Sequence, residues 1–178
     1  MSKVPADPSP VLARPKWAPA GYLLAVALLG PFFSPMVSVL SGSMSAGATL
    51  RYGVIGLYFG VQFYLMLALL LVAATAAASG HRKGLLLTTV VAGLACLLLI
   101  VALPAFALDY LQMRRSMPAQ AFAPFGLAGK KTAVAAALGV PVFFLIFLGS
   151  LRAARAVGAL QTRRAREETP GSLMIGTR

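Results

Sequence analysis

Acidic residues are nearly missing from this chain of 178 residues: 4 Asp+Glu stand against 16 Lys+Arg, giving a net charge of +12. Asparagine does not occur, and histidine and cysteine occur once each, as His81 and Cys96. Each shortage excludes something. Without Asn there is no N-glycosylation sequon. With one Cys no intrachain disulfide can form. One His and one Cys fall short of the ligands of a zinc site, and a haem held by two histidines is excluded in the same way. A Ser-His-Asp arrangement would need His81 to meet Asp109, but an apolar run of about 25 residues separates them, roughly 38 Å if helical. Neither a P-loop nor a dinucleotide fingerprint is present. The inventory predicts no catalytic, cofactor-binding or metal site in this chain.

Charge is scarce in total as well. Only 11% of residues are charged and 59% are hydrophobic, with a mean hydropathy of +0.83, whereas a soluble domain carries about 25% charged residues. What the chain has instead is long apolar runs. Gly53 to Ala78 and Leu85 to Ala107 contain no charged residue, and only Ser79-Gly80-His81-Arg82-Lys83-Gly84 joins them. Each run exceeds the roughly 20 residues that a helix needs to cross about 30 Å of hydrocarbon. The connection is long enough only for a tight antiparallel hairpin, and its two cations mark the cytoplasmic side.

The expected fold is all-α: a polytopic integral membrane protein with four transmembrane helices and a short cytoplasmic amphipathic helix at its C-terminus. Residues 1–16 form an extended basic tail, because Pro5, Pro8, Pro10 and Pro15 forbid a regular helix. The membrane domain occupies 17–151, with spans at about 17–40, 53–78, 85–108 and 132–151. Residues 152–178 are a basic helix and tail in which Leu151, Ala154, Val157 and Leu160 make an apolar stripe. Trp17, Arg82, Lys83, Arg152 and Arg155 fall where interfacial aromatics and cations anchor a chain to headgroups. The first apolar run is too long, and the segment before it too proline-rich, for a signal peptide.

With both termini inside, eleven cations face the cytoplasm: Lys3, Arg14, Lys16, Arg82, Lys83, Arg152, Arg155, Arg163, Arg164, Arg166 and Arg178. Five lie outside, Arg51, Arg114, Arg115, Lys130 and Lys131, four of them in the segment 109–131. That segment is expected to be a mixed loop, with Leu111 to Met117 prolonging the third helix until Pro118, and to lie on lipid or dock on a protein. The Ala-, Leu- and Arg-rich composition with little Ile points to a bacterial source, hence to the inner membrane.

Within the spans the polar inventory is short. Gln62 is the one strongly polar side chain, suited to an interhelical hydrogen bond worth on the order of 1 kcal/mol. Gly53, Gly56 and Gly60 form a small-residue strip, and Gly139 narrows the fourth span, so these positions are candidates for helix packing or a partner interface. Pro31, Pro35 and Pro141 are candidate kinks, and the first span is kinked or broken near Pro31. Proton-coupled carriers, the four-helix small multidrug transporters among them, keep an acidic residue inside the membrane, and four-helix thiol oxidases need paired cysteines; this chain has neither.

The expected function is therefore contact rather than chemistry: a non-catalytic structural or accessory subunit of a larger bacterial inner-membrane complex. Its partners would be other integral membrane subunits or a second copy, with anionic lipid headgroups at the cationic flanks and no nucleic acid. The alternative is a small transporter, channel or lipid-handling protein that uses a broken first helix and a polar cavity lined by Ser34, Ser38, Gln62 or Thr75.

Overall fold

A computed structural model describes residues 15–41, 48–116, 118, 120 and 122–167. These residues form four α-helices and no strand: α1 (Ala18–Ser41), α2 (Ala48–Ala78), α3 (Arg82–Ser116) and α4 (Phe122–Glu167). All four are long and apolar enough to cross a membrane.

The α2–α3 hairpin is as tight as its sequence requires. Gly80 takes φ of 66°, a left-handed conformation that side chains resist and glycine adopts freely. The His81 amide then donates to the Ala76 carbonyl at 2.8 Å and the Gly80 amide to Ala77 at 3.3 Å. This pair of bonds satisfies carbonyls that the end of α2 would otherwise leave bare. The Leu85 amide donates to His81 at 3.2 Å, so α3 starts at the residue where the cap of α2 ends. Three residues, Ser79 to His81, separate the two helices.

Helix α3 explains the core. Its buried positions Leu85, Thr88, Ala92, Ala95, Leu99, Ala102, Phe106 and Asp109 recur in alternating steps of three and four. That is a seven-residue repeat, which keeps one seam facing its neighbours along the whole helix. The seam includes alanines, so α4 approaches closely: a Cβ added at Gly93 would lie 3.2 Å from the Phe147 ring. Helices α2, α3 and α4 each pack on the other two; α1 packs along α2, and its Tyr22 side chain also reaches the hairpin and Gly84 of α3.

The end opposite the hairpin is closed by aromatic rings. Tyr52 stacks on Phe106 at 4.8 Å, Phe59 meets Phe106 at 5.3 Å, and Tyr110 stacks on Phe125 at 5.0 Å with the rings 2° from parallel. Such pairs add about 0.5–1.5 kcal/mol each beyond the area they bury.

This packing corrects the expected loop at 109–131. Helix α3 continues to Ser116, in line with the prolongation expected before Pro118, but α4 begins already at Phe122, so the connection is only a few residues. Asp109, expected to open the loop, is 1% exposed on the α3 seam. Phe125 packs inward on Tyr110 and Tyr52 rather than outward on lipid or protein. At the other end α4 runs without interruption past Leu151 to Glu167. The helix at 152–167 is thus the end of the fourth span continued.

Prolines stay inside helices here. α1 is unbroken through Pro31 and Pro35, α3 contains Pro104 and α4 contains Pro141. Pro31, Pro104 and Pro141 are exposed, so their rings point away from neighbouring helices. Membrane helices tolerate such prolines because local adjustment re-satisfies the freed carbonyls.

Candidate functional site

The residues singled out for packing do different jobs in the fold. Gln62 is 3% exposed and its Nε2 donates to the Ala135 carbonyl of α4 at 2.6 Å. Its amide lies directly against Gly139, where an added Cβ would come within 2.7 Å of Oε1. Gly139 therefore makes the space that lets Gln62 cross from α2 to α4. Cys96 joins the same crossing, with Sγ 3.7 Å from the Val140 carbonyl.

Gly56 faces the Phe106 ring, 3.6 Å from a would-be Cβ, and Gly53 is half-buried. Gly60 is exposed and meets nothing within 4 Å. It begins an outward stripe on α2 that continues through Phe63, Tyr64, Leu70 and Ala74.

Tyr64 is the notable member of this stripe. It lies 12 residues from Tyr52 and 14 from Ala78, the ends of the apolar window of α2, so its phenol sits near the middle of the span. It is 38% exposed, and its ring touches Phe63 at 6.4 Å. Exposed to hydrocarbon, a hydroxyl without a hydrogen-bond partner carries a cost of several kcal/mol, on the order of the transfer free energy of an alcohol.

Two close approaches had no counterpart in the sequence reading. A Cβ at Gly21 of α1 would overlap the Thr75 hydroxyl of α2, and one at Gly129 of α4 would overlap the Tyr110 ring. Thr75 is fully buried. A glycine in an apolar run is a common sight, and only its partner on another helix marks it as a contact.

The hairpin end gathers polar groups. Tyr22 Oη and His81 Nδ1 are hydrogen-bonded at 3.0 Å with their rings stacked, and Gln161 Nε2 donates to the Gly80 carbonyl at 3.3 Å. The Arg82 guanidinium crosses Gly158 of α4 at 3.1 Å from a would-be Cβ. Tyr22, Gly80, His81, Arg82 and Gln161 border, with Lys83, Gly84 and Leu86, a recess of about 880 Å³. Two cations and the start of a helix favour anions there. Trp17 at 53% exposure, with Arg82, Lys83, Arg152 and Arg155, all exposed, surrounds this end of the bundle.

Among the described residues no three His, Cys, Asp or Glu gather where they could share a metal ion. His81 immediately precedes α3, and Asp109 lies 27 residues beyond the first residue of that helix, about 40 Å along it. The arrangement can hold helices together and bind charge at its ends.

Four apolar helices of spanning length define a multi-pass α-helical membrane protein. Comparison with protein-family models, with curated proteins and with solved structures gives no match to this chain.

Proposed function

We propose that the chain is a non-catalytic subunit of a larger membrane assembly, and that the outward stripe of α2 receives a transmembrane helix from a partner. The observation that carries this reading is Tyr64: a phenol near mid-span, exposed, one helical turn from the open backbone of Gly60. A partner helix lying along the stripe would approach Gly60 closely and give the Tyr64 hydroxyl an acceptor, which lipid tails lack. The excess of cations on the hairpin side supports an orientation with both termini in the cytoplasm, and the composition supports a bacterial inner membrane.

The transporter reading has less behind it. Gln62 and Thr75, two of the polar side chains offered for a cavity, are buried against glycines at helix crossings, and α1 is continuous through its prolines.

The test is purification of a tagged copy from its native membrane in mild detergent, followed by native gel and mass spectrometry. Stoichiometric partners are expected, and Gly60→Leu should release them while the chain stays folded. A wild-type chain that migrates alone or only with itself would sink the subunit reading and bring the transporter forward.

A further inference from the structure

The crevice between α3 and α4 at the end opposite the hairpin has a chemistry of its own. On α3, Leu103, Ala107, Leu111 and Arg114 follow one another in steps of three and four along one face. Across from them α4 presents Gly129, Lys130 and Ala133, and together they enclose about 340 Å³. A second hollow of about 350 Å³ continues past Arg114 and Lys130 toward Gly126 and Leu127. A third, about 430 Å³, lies under Lys130 and Lys131 along Val134 and Leu138. Lys130 borders all three.

We propose that this crevice binds an anionic phospholipid, with its phosphate between Arg114 and Lys130 and an acyl chain along the apolar floor toward Leu103. The order of the groups carries the assignment. Cations stand at the outer rim, and below them lie apolar or small residues with the Tyr110 ring between the walls. Leu103 and Arg114 are 11 residues apart, about 16 Å of helix, the reach of a phosphate and much of a chain. A guanidinium matches two phosphate oxygens at once, and an ammonium adds a point charge beside it. A soluble anion would leave the apolar floor empty, and an uncharged lipid would leave the Lys130 ammonium without a counter-charge.

The site also accounts for a feature that the charge bias leaves unexplained. Arg114, Arg115, Lys130 and Lys131 oppose the excess of cations at the hairpin end, where topology alone favours them. A bound anion gives Lys130, which borders all three hollows, a reason to stay. Tyr110 holds the two walls in register, since its ring lies on Gly129 and stacks on Phe125.

Native mass spectrometry of the detergent-purified chain tests this with three probes: phosphatidylglycerol, phosphatidylethanolamine and glycerol 3-phosphate. Retention of phosphatidylglycerol should exceed that of phosphatidylethanolamine by about tenfold, equivalent to about 1.4 kcal/mol, with no retention of the bare headgroup. Lys130→Gln should remove most of that preference by deleting a cation. Ala107→Phe should do the same by filling the floor; Ala107 is exposed, so folding is preserved, and Lys130→Gln decides alone if it is not. Arg82→Gln with Lys83→Gln, at the hairpin end, should leave the preference intact. Equal retention of both lipids, binding of glycerol 3-phosphate as tight as that of lipid, or loss only in the Arg82/Lys83 variant would each overturn the proposal. So would a preference untouched by both crevice variants, which would place the charge elsewhere, an acidic protein surface included.

Discussion

Helices α1 and α3 are both long and apolar enough to span a bilayer, yet the fold uses them differently. Within their apolar windows 44% of α3 is buried against 22% of α1. The difference lies in the faces. α3 carries a seam repeating every seven residues and meets both α2 and α4, so its outward leucines and valines occupy only what remains. α1 offers one narrow face, Ala18, Gly21, Ala25 and Phe32, and leaves Leu23, Leu24, Val26 and Phe33 exposed. Hydropathy places a helix in the membrane, and the periodicity of small residues decides how many neighbours it will have.

Three substitutions break or sharpen that contrast. The largest effect belongs to the shared core. Phe59 is 1% exposed and packed on Phe106, so Phe59→Ala should cost about 3–5 kcal/mol. Unfolding in detergent followed by circular dichroism should show α2, α3 and α4 losing stability together; a loss below about 1 kcal/mol would mean that the aromatic cluster does not hold the core.

A smaller and more local effect is expected at Gly21. The leucine in Gly21→Leu must displace the buried Thr75 side chain, an overpacking worth about 1–3 kcal/mol. Because α1 rests on α2, the damage should stay there: in a Thr75→Cys background the thiol should react with maleimide faster, while the main unfolding transition keeps its midpoint. If that midpoint falls as far as it does in Phe59→Ala, α1 belongs to the core and the contrast fails.

Smallest of all is Gln62→Leu. It deletes the bond to Ala135, yet Gln62 Oε1 has no hydrogen-bond partner, so removing both polar atoms should change stability by less than about 1 kcal/mol. A loss of several kcal/mol would show that this amide fixes the α2–α4 register.

These contacts also mark where sequence reasoning stops. The hairpin was legible because Gly80 sits between two uncharged runs with only a few residues to turn in. Segment 109–131 misled because Lys130, Lys131, Pro118 and two glycines interrupt its hydropathy. Its helices depend on Tyr110 lying over Gly129 and stacking on Phe125, and such pairings appear only once two helices are side by side. The GxxxG strip named Gly56 and Gly60, of which one meets a phenylalanine and the other open space. The glycines under the tightest contacts, Gly21, Gly129 and Gly139, lie outside any such motif. Gln62 was recognisable by its polarity. Nothing in the sequence sets Tyr64 apart from the other aromatics of α2; its exposure does.

The continuity of α4 has a mechanical consequence. Its 46 residues make a rod of about 69 Å, more than twice the roughly 30 Å of hydrocarbon it crosses. Lys130 rides near one tip and Gln161 near the other, on a single uninterrupted lever. A tilt of 10° about its midpoint swings each tip sideways by about 6 Å. A helix longer than the local hydrocarbon accommodates the excess by tilting, within the limits its neighbours and interfacial anchors set, so any tilt imposed at one end of α4 is carried undiminished to its arginine-rich end.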